Sequence, residues 1–274
     1  MKKYLPFVLL ILIAACGEHD KNPDSETDLP PAPPPTPVVK VNALNIIPHD
    51  PTSYTEGLQV YNGKLYEGAG DYENSALQIA DLKTGKVLQQ HKMGKAESDG
   101  GGIFGEGINV FKGKIYQLTW RSHIVYVYDE KDITKPIKTF VWPYEGWGMT
   151  NDGTNLIISD GGATGHLYFV NPDNFSVVKT LSVQDNRGPV TYVNELEYIN
   201  GFIYANVFTT DKILKIDAAT GKVVLVIDCT GLINDNEVPD RQDNVLNGIA
   251  YDSSTKKMYI TGKRWPKMFE VSVN

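Results

Sequence analysis

Gly105-Glu-Gly-Ile-Asn-Val-Phe-Lys-Gly-Lys-Ile-Tyr116 decides the fold, because the chain carries five versions of it. The stretch reads as an apolar run, a two-residue turn and a second apolar run, which is a β-hairpin. The other copies are Thr55-Glu-Gly-Leu-Gln-Val-Tyr-Asn-Gly-Lys-Leu-Tyr66, Gly146-Trp-Gly-Met-Thr-Asn-Asp-Gly-Thr-Asn-Leu-Ile157 and Val193-Asn-Glu-Leu-Glu-Tyr-Ile-Asn-Gly-Phe-Ile-Tyr204. The last, Leu246-Asn-Gly-Ile-Ala-Tyr251, reaches Met258-Tyr259 after a longer turn. Anchored on Leu58, Ile108, Met149, Leu196 and Ile249, the copies are spaced by 50, 41, 47 and 53 residues.

The first four copies each continue into a third and a fourth strand. Leu77-Gln-Ile-Ala-Asp-Leu-Lys-Thr-Gly-Lys-Val-Leu88 and Ile213-Leu-Lys-Ile-Asp-Ala-Ala-Thr-Gly-Lys-Val-Val224 are near duplicates, and Val125 to Phe140 and Leu167 to Thr180 follow the same plan. Four strands per repeat at this period predict an all-β fold, a five-bladed β-propeller with four-stranded antiparallel blades. A strand near Ala43 to Ile47 is expected to complete the last blade and close the ring. No segment holds a 3.6-residue period for three turns, so a helical solenoid is excluded.

In a propeller the first strand of each blade lines the central channel, so equivalent positions converge. Two residues before each anchor stand Glu56, Glu106, Trp147, Asn194 and Asn247. The antiparallel second strand returns to the same mouth, bringing Gly70, Trp120, Gly161, Phe208 and Lys263. Similar scaffolds with divergent polar groups at one mouth are the pattern of a site built on a repeat.

Outside the repeats, Lys2 and Lys3 precede an apolar run, Tyr4 to Ala15, that ends in Ile13-Ala14-Ala15-Cys16. This reads as a bacterial lipoprotein signal, residues 1–15, with Cys16 as the lipid-bearing first residue of the mature chain. Residues 16–37, with the cluster Pro30-Pro31-Ala32-Pro33-Pro34-Pro35-Thr36-Pro37, read as a disordered Pro-rich linker. Residues 38–274 are then the propeller. The expected location is the bacterial cell envelope, periplasmic or surface-facing, with the membrane as a partner through Cys16. Gly17 in place of an aspartate favours the outer membrane. The expected state is a monomer.

Asp and Glu outnumber Lys and Arg by 33 to 26, which excludes a basic nucleic-acid footprint. Two cysteines exclude a disulfide scaffold and a Cys₄ zinc site, and Cys229 reads as a buried small hydrophobe. His19, His49, His91, His123 and His166 show no metal-ligand spacing, so no metal or other cofactor is expected. Asn234-Asp-Asn-Glu-Val-Pro-Asp-Arg-Gln-Asp-Asn244 is rich in oxygen ligands but lacks the glycine spacing of a calcium loop, so structural calcium has no motif behind it. It reads as a solvated loop, and Asp99 to Ile103 as a flexible one.

Eight ordered motifs carry a resemblance: Tyr54-Thr-Glu-Gly-Leu58, Phe104-Gly-Glu-Gly-Ile108, Tyr116-Gln-Leu-Thr-Trp120, Gly146-Trp-Gly-Met149, Asn194-Glu-Leu-Glu-Tyr198, Tyr204-Ala-Asn-Val207, Leu246-Asn-Gly-Ile249 and Thr261-Gly-Lys-Arg-Trp-Pro266. Over about residues 48 to 273 the chain resembles the glutaminyl-peptide cyclotransferases of plant and bacterial type. The resemblance implies a five-bladed propeller without zinc, cyclising the N-terminal glutamine of peptides or proteins to pyroglutamate with release of ammonia. It implies Glu106 as general acid and base, Phe104, Trp120 and Trp147 as substrate-lining aromatics, and Asn194 and Lys263 as polar helpers. Tyr54, Glu56 and Phe208 depart from the plant pattern, where Phe, Gln and Trp stand. The two aromatic changes keep a substrate-binding face, while Glu56 adds a second carboxylate that either raises the pKa of Glu106 or holds the substrate ammonium. Asn247 completes the expected binding set. Two rival functions share the architecture. A non-catalytic peptide- or glycan-binding propeller would bind Gln-peptides without turnover. A calcium-dependent lactonase-like hydrolase would lose activity to a chelator.

Overall fold

The turns of the repeated hairpins set the frame. Asn62-Gly63, Lys112-Gly113 and Asn200-Gly201 all have positive φ, at 48° and 71°, 51° and 77°, and 49° and 87°. Two consecutive left-handed residues match the right-handed twist of the flanking strands, so each pair closes a two-residue hairpin. The computed structural model describes residues 33–94, 102–162 and 164–273. The signal, Cys16 and the first three residues of the Pro-rich cluster lie outside the described residues, as does most of Asp99 to Ile103. Pro34–Asn274 form one compact unit.

Strand β1 (Val38–Pro48) is followed by β2 (Tyr54–Tyr61), β3 (Lys64–Gly70), β4 (Ala76–Asp81) and β5 (Val87–Lys92), which make a four-stranded antiparallel sheet in sequence order. The same plan recurs in β6 (Gly105–Phe111), β7 (Lys114–Thr119), β8 (Ile124–Asp129) and β9 (Lys138–Val141). It recurs again in β10 (Met149–Asn151), β11 (Leu156–Ser159), β12 (His166–Val170) and β13 (Val177–Ser182). A short hairpin, β14 (Gln184–Asp185) and β15 (Gly188–Pro189), leads to β16 (Val193–Ile199), β17 (Phe202–Val207), β18 (Lys212–Asp217) and β19 (Val223–Asp228). The last strands are β20 (Leu246–Asp252), β21 (Lys257–Gly262) and β22 (Lys267–Val273).

The expected closing strand is β1, whose Val41 to Pro48 pair antiparallel with β22. Its first three residues also pair in parallel with Val226 to Asp228 of β19, which the sequence did not announce. That joint merges the last two groups into one eight-stranded sheet, ordered β16-β17-β18-β19-β1-β22-β21-β20. The first strands pack cyclically: β2 on β6, β6 on β10, β10 on β16, β16 on β20 and β20 on β2. Between neighbouring groups lies an apolar cluster. Ile108, Ile115 and Leu77 meet in one; Leu118, Met149 and Leu156 meet in another. Cys229 is buried in a third, with Ile249 and Trp265, as the sequence led us to expect. With both faces of its strand covered, truncating Ile108 to Ala would cost about 2–5 kcal/mol.

The near-duplicate segments fold alike. Asp81 and Asp217 each accept the backbone N–H of a threonine three residues on, both at 2.8 Å, before a left-handed glycine. These aspartates fix the turn between third and fourth strands.

Candidate active site

The first strands approach one another so closely at one end that side chains are excluded. A Cβ on Gly57 would lie 2.4 Å from the backbone nitrogen of Ile108, and one on Gly107 2.4 Å from the carbonyl of Trp147. Gly107 donates its N–H across that gap to Trp147 O at 2.7 Å. In the fourth copy the glycine is replaced by Glu195, whose carboxylate accepts the N–H groups of Leu58 and Ile249.

Immediately before this closure the pairing register slips in four of the five hairpins, at Thr55/Gly57, Gly105/Ile108, Val193/Leu196 and Leu246/Ile249. Each slip is a β-bulge, and bulges re-aim the side chains they contain. The bulged residues include Glu56, Glu106, Asn194 and Asn247, four of the five positions expected to converge. The fifth, Trp147, directly precedes β10.

All of them but Asn247 converge on a cavity of about 270 Å³ lined by Tyr54, Glu56, Phe104, Glu106, Trp120, Trp147, Asn194, Phe208, Asp243 and Lys263. Nine of the ten expected site residues therefore line one space. Asn247 does not: it is fully buried behind Glu56, donating its amide N–H to Glu56 Oε2 at 3.1 Å and to Thr55 O at 2.9 Å. It positions a wall residue.

The floor carries the charge. Lys263 Nζ donates to Glu56 Oε1 at 2.6 Å, with both side chains almost wholly buried. Burial alone would depress the lysine, but the carboxylate of Glu56, then Tyr54 and Glu106, hold it above its ordinary value. Burial pushes Glu56 up and Lys263 pulls it back, leaving it raised. Among the described residues Glu106 is in no ion pair, although the charge of Lys263 opposes the shifts that follow. Burial and then the neighbouring Glu56 push its carboxyl well above the usual range, with a further contribution from Glu145. The two carboxyl groups hydrogen-bond to each other. Like charges this close cannot both ionise. Since Glu56 holds the lysine, the proton sits on Glu106, which donates to Glu56.

Aromatic rings wall the rest. Tyr54 meets Phe104 edge-on at 6.0 Å, Phe104 meets Trp120 at 5.6 Å, and Trp147 meets Phe208 at 5.4 Å. The glycines of the second ring position provide the seats. A Cβ on Gly70 would lie 2.3 Å from the Phe104 ring, and one on Gly161, at φ +56°, 1.9 Å from Trp147.

Two residues of the site escaped the sequence reading, one behind the wall and one in it. Glu145 Oε2 accepts both indole N–H groups, from Trp120 at 2.8 Å and Trp147 at 3.1 Å, while Oε1 accepts Arg121 Nε at 3.0 Å. Partial burial opposes its charge, but these donors hold it below the ordinary carboxylate range. Four residues before each anchor stand Tyr54, Phe104, Glu145, Tyr192 and Val245, so a carboxylate at a mainly aromatic position was the missed signal. Asp243 belongs to the stretch read as a solvated loop. That stretch is mostly exposed, as expected, but it also contains a one-turn 3₁₀ helix (Asp235–Glu237), buries Val238 and Asn244, and accepts the Tyr54 hydroxyl at Asp243 O.

Among the described residues no group of three or more His, Cys, Asp or Glu side chains is arranged to hold a metal ion. His49 is instead buried between Trp265 O and Glu67.

A family model described as glutamine cyclotransferase matches residues 9–273. The chain is 34% identical over 243 residues to the glutaminyl-peptide cyclotransferase of Arabidopsis thaliana, covering 85% of this chain and 72% of that protein. The crystal structure of Myxococcus xanthus glutaminyl cyclase superposes with a TM-score of 0.75 at 30% identity, covering 88% of this chain and 99% of that one. The chain belongs to the glutamine cyclotransferase family.

Proposed function

We propose that the protein cyclises the N-terminal glutamine of peptides or proteins to pyroglutamate, releasing ammonia, with Glu106 moving the proton. The observation that carries the mechanism is the Glu106 carboxyl, pushed well above its usual range by burial and by Glu56, beside the buried Glu56–Lys263 pair at the floor of an aromatic cavity.

The α-amine attacks the side-chain amide carbon of its own residue, so both reacting atoms arrive together and the cavity has only to enforce the attacking conformer. The attacking nitrogen forms the ring C–N bond and loses one proton; the departing amide nitrogen leaves its carbon and gains one. Glu106 gives its proton to the departing nitrogen and takes one back from the attacking nitrogen, ending as it began. Glu56, held by Lys263 and Asn247, keeps the proton on Glu106 and gives the substrate amine a negative partner on arrival. Asn194 carries a buried Oδ1 with no partner, facing this cavity, which can accept an N–H of the substrate. Lys263 also bonds the Tyr54 hydroxyl, which leaves one N–H donor available to the oxyanion that develops on the amide oxygen. Trp120, Trp147, Phe104 and Phe208 enclose the glutaminyl side chain and keep out water, the competing nucleophile.

The scaffold in this reading is a five-bladed β-propeller, supported by the cyclic packing of β2, β6, β10, β16 and β20. The protein is tethered as a monomer through a lipid on Cys16 in the cell envelope, with residues 16–37 as spacer; radiolabelled palmitate incorporation that survives Cys16→Ser would oppose this.

The direct test mixes the full chain with a Gln-initiated peptide. Loss of the mass of one ammonia, with a blocked N-terminus, is expected. Binding without mass loss would leave a peptide-binding module instead.

A further inference from the structure

A second cleft, of about 570 Å³, lies against the outer side of the same wall, between the β2–β5 sheet and the turn that joins β21 to β22. Its lining includes Thr52, Asp71, Gln78, Gln90, Lys92 and Arg264. Nothing in the reaction described above uses it. Yet it is continuous in sequence with the reaction cavity at two places. Gly70 pairs with Tyr54 of the cavity wall, and its neighbours Ala69 and Asp71 line the cleft. Arg264 directly follows Lys263.

The Tyr54 ring lies near one cation from each lining. Lys263 Nζ lies 4.4 Å from its ring centroid and the Arg264 guanidinium carbon 5.4 Å from it. The two cationic groups are therefore within about 10 Å of each other, a span that three extended residues cover at ~3.4 Å each.

Among the described residues, two polar groups of the cleft have hydrogen-bonding capacity that is unmet. Gln78 is 3% exposed, and its Oε1 has no partner. Arg264 gives one nitrogen, Nη2, to Asp71 Oδ2 at 2.9 Å, but its buried Nε–H has no acceptor. Buried polar groups in native proteins are almost always paired, so one orphaned acceptor and one orphaned donor in a single cleft need a partner. An N–H and a C=O together are what a peptide unit presents. Asp71 already neutralises one guanidinium edge, so the site does not select a carboxylate; it matches main chain.

We propose that this cleft binds the backbone of the substrate residues that follow the N-terminal glutamine, so that the enzyme prefers peptides of several residues over glutaminyl dipeptides whatever the side chains. The inference rests on the cyclisation reading above. Gln78 Oε1 accepts a substrate N–H and Arg264 Nε donates to a substrate carbonyl, while the glutamine occupies the aromatic cavity.

The test compares two probes, glutaminyl-alanine amide and glutaminyl-tetra-alanine amide, with wild type, Gln78→Leu and Arg264→Lys. Two hydrogen bonds to buried groups correspond to about tenfold in kcat/KM for the longer probe, expressed in KM. Gln78→Leu removes an orphaned acceptor and Arg264→Lys removes the Nε donor while keeping a charge opposite Asp71, so both are expected to fold, as thermal melting will show. Each removes one of the two bonds, so each should cut the length preference to about threefold and leave the dipeptide rate at wild type. Equal turnover of both probes by wild type, or a preference kept undiminished by both folded variants, overturns the proposal. Turnover of neither probe would instead bring down the cyclisation reading on which it rests.

Discussion

Replacing Glu145 by alanine separates wall positioning from proton transfer. The substitution removes the shared acceptor of two indoles, at 2.8 and 3.1 Å from Glu145 Oε2. Both rings are half-buried, so each stranded N–H costs about 1 kcal/mol. The pair with Arg121 adds nothing to that, since the arginine side chain is 64% exposed. The fold should therefore lose no more than about 2 kcal/mol and persist. Substrate binding loses two fixed walls, and a loss of about 1.4 kcal/mol in the complex is tenfold in KM. kcat should fall less, because Glu106 and the Glu56–Lys263 pair remain. Glu145 also helps raise the Glu106 carboxyl, so the Glu106 titration should move to lower pH. Glu145→Gln keeps one oxygen able to accept both indoles and should restore KM while leaving that pH shift. The assay is steady-state ammonia release against peptide concentration and pH, with near-ultraviolet circular dichroism reporting on the indoles. An unchanged KM in Glu145→Ala, with the indole signals of wild type, would refute the reasoning.

Glu56→Gln should remain active: Asn247 has an unpartnered buried Oδ1 and can turn its amide to meet the new N–H₂. Lys263 must then take Glu106 as its counter-ion, so the Glu106 titration moves down in the pH–rate profile; total loss of turnover would reverse the two carboxylates. Glu197, buried on β16, is pushed up to about 8 by burial, against the bonds from Tyr251 and Thr150. Its folded pKa exceeds its unfolded one, so it stabilises most at low pH and that contribution drains away between about pH 4.5 and 8, at ~1.4 kcal/mol per unit. Glu197→Gln should flatten that decline, seen as a melting-temperature gap over wild type that widens with pH up to 8 and then holds. Gly161→Ala forces a left-handed alanine into the seat of Trp147, so KM should rise; unchanged KM would mean the ring is not held there.

Much of the fold is legible because the hairpin turns are local chemistry: Asn62-Gly63 and Asn200-Gly201 specify their turn whatever surrounds them. The convergence of Glu56, Glu106, Asn194 and Lys263 follows from repeat equivalence alone. What could not be read is how the side chains share partners once there. Bulges hide in the spacing, since one extra residue in a strand leaves the apolar pattern nearly intact. Asn247 fell behind the wall because its bulge points it at Glu56. The pairing of Lys263 with Glu56 joins residues 207 positions apart, which no local pattern encodes. Glu145 lay one residue outside the quoted motif, and Asp243 sits in a loop whose fold is set by tertiary contacts of Val238 and Asn244. The parallel joint of β1 with β19 has no sequence signal, since Val38 to Lys40 would serve any edge equally.

The central claim is that one carboxyl, Glu106, carries the proton between the two nitrogens. It is tested most directly by Glu106→Gln, an isosteric change that keeps a hydrogen-bond donor to Glu56 but cannot exchange a proton. Ammonia release from a Gln-initiated peptide should fall by at least 10²-fold, the scale of general acid–base catalysis, with peptide affinity and melting temperature near wild type. Turnover within a few-fold of wild type would contradict the account.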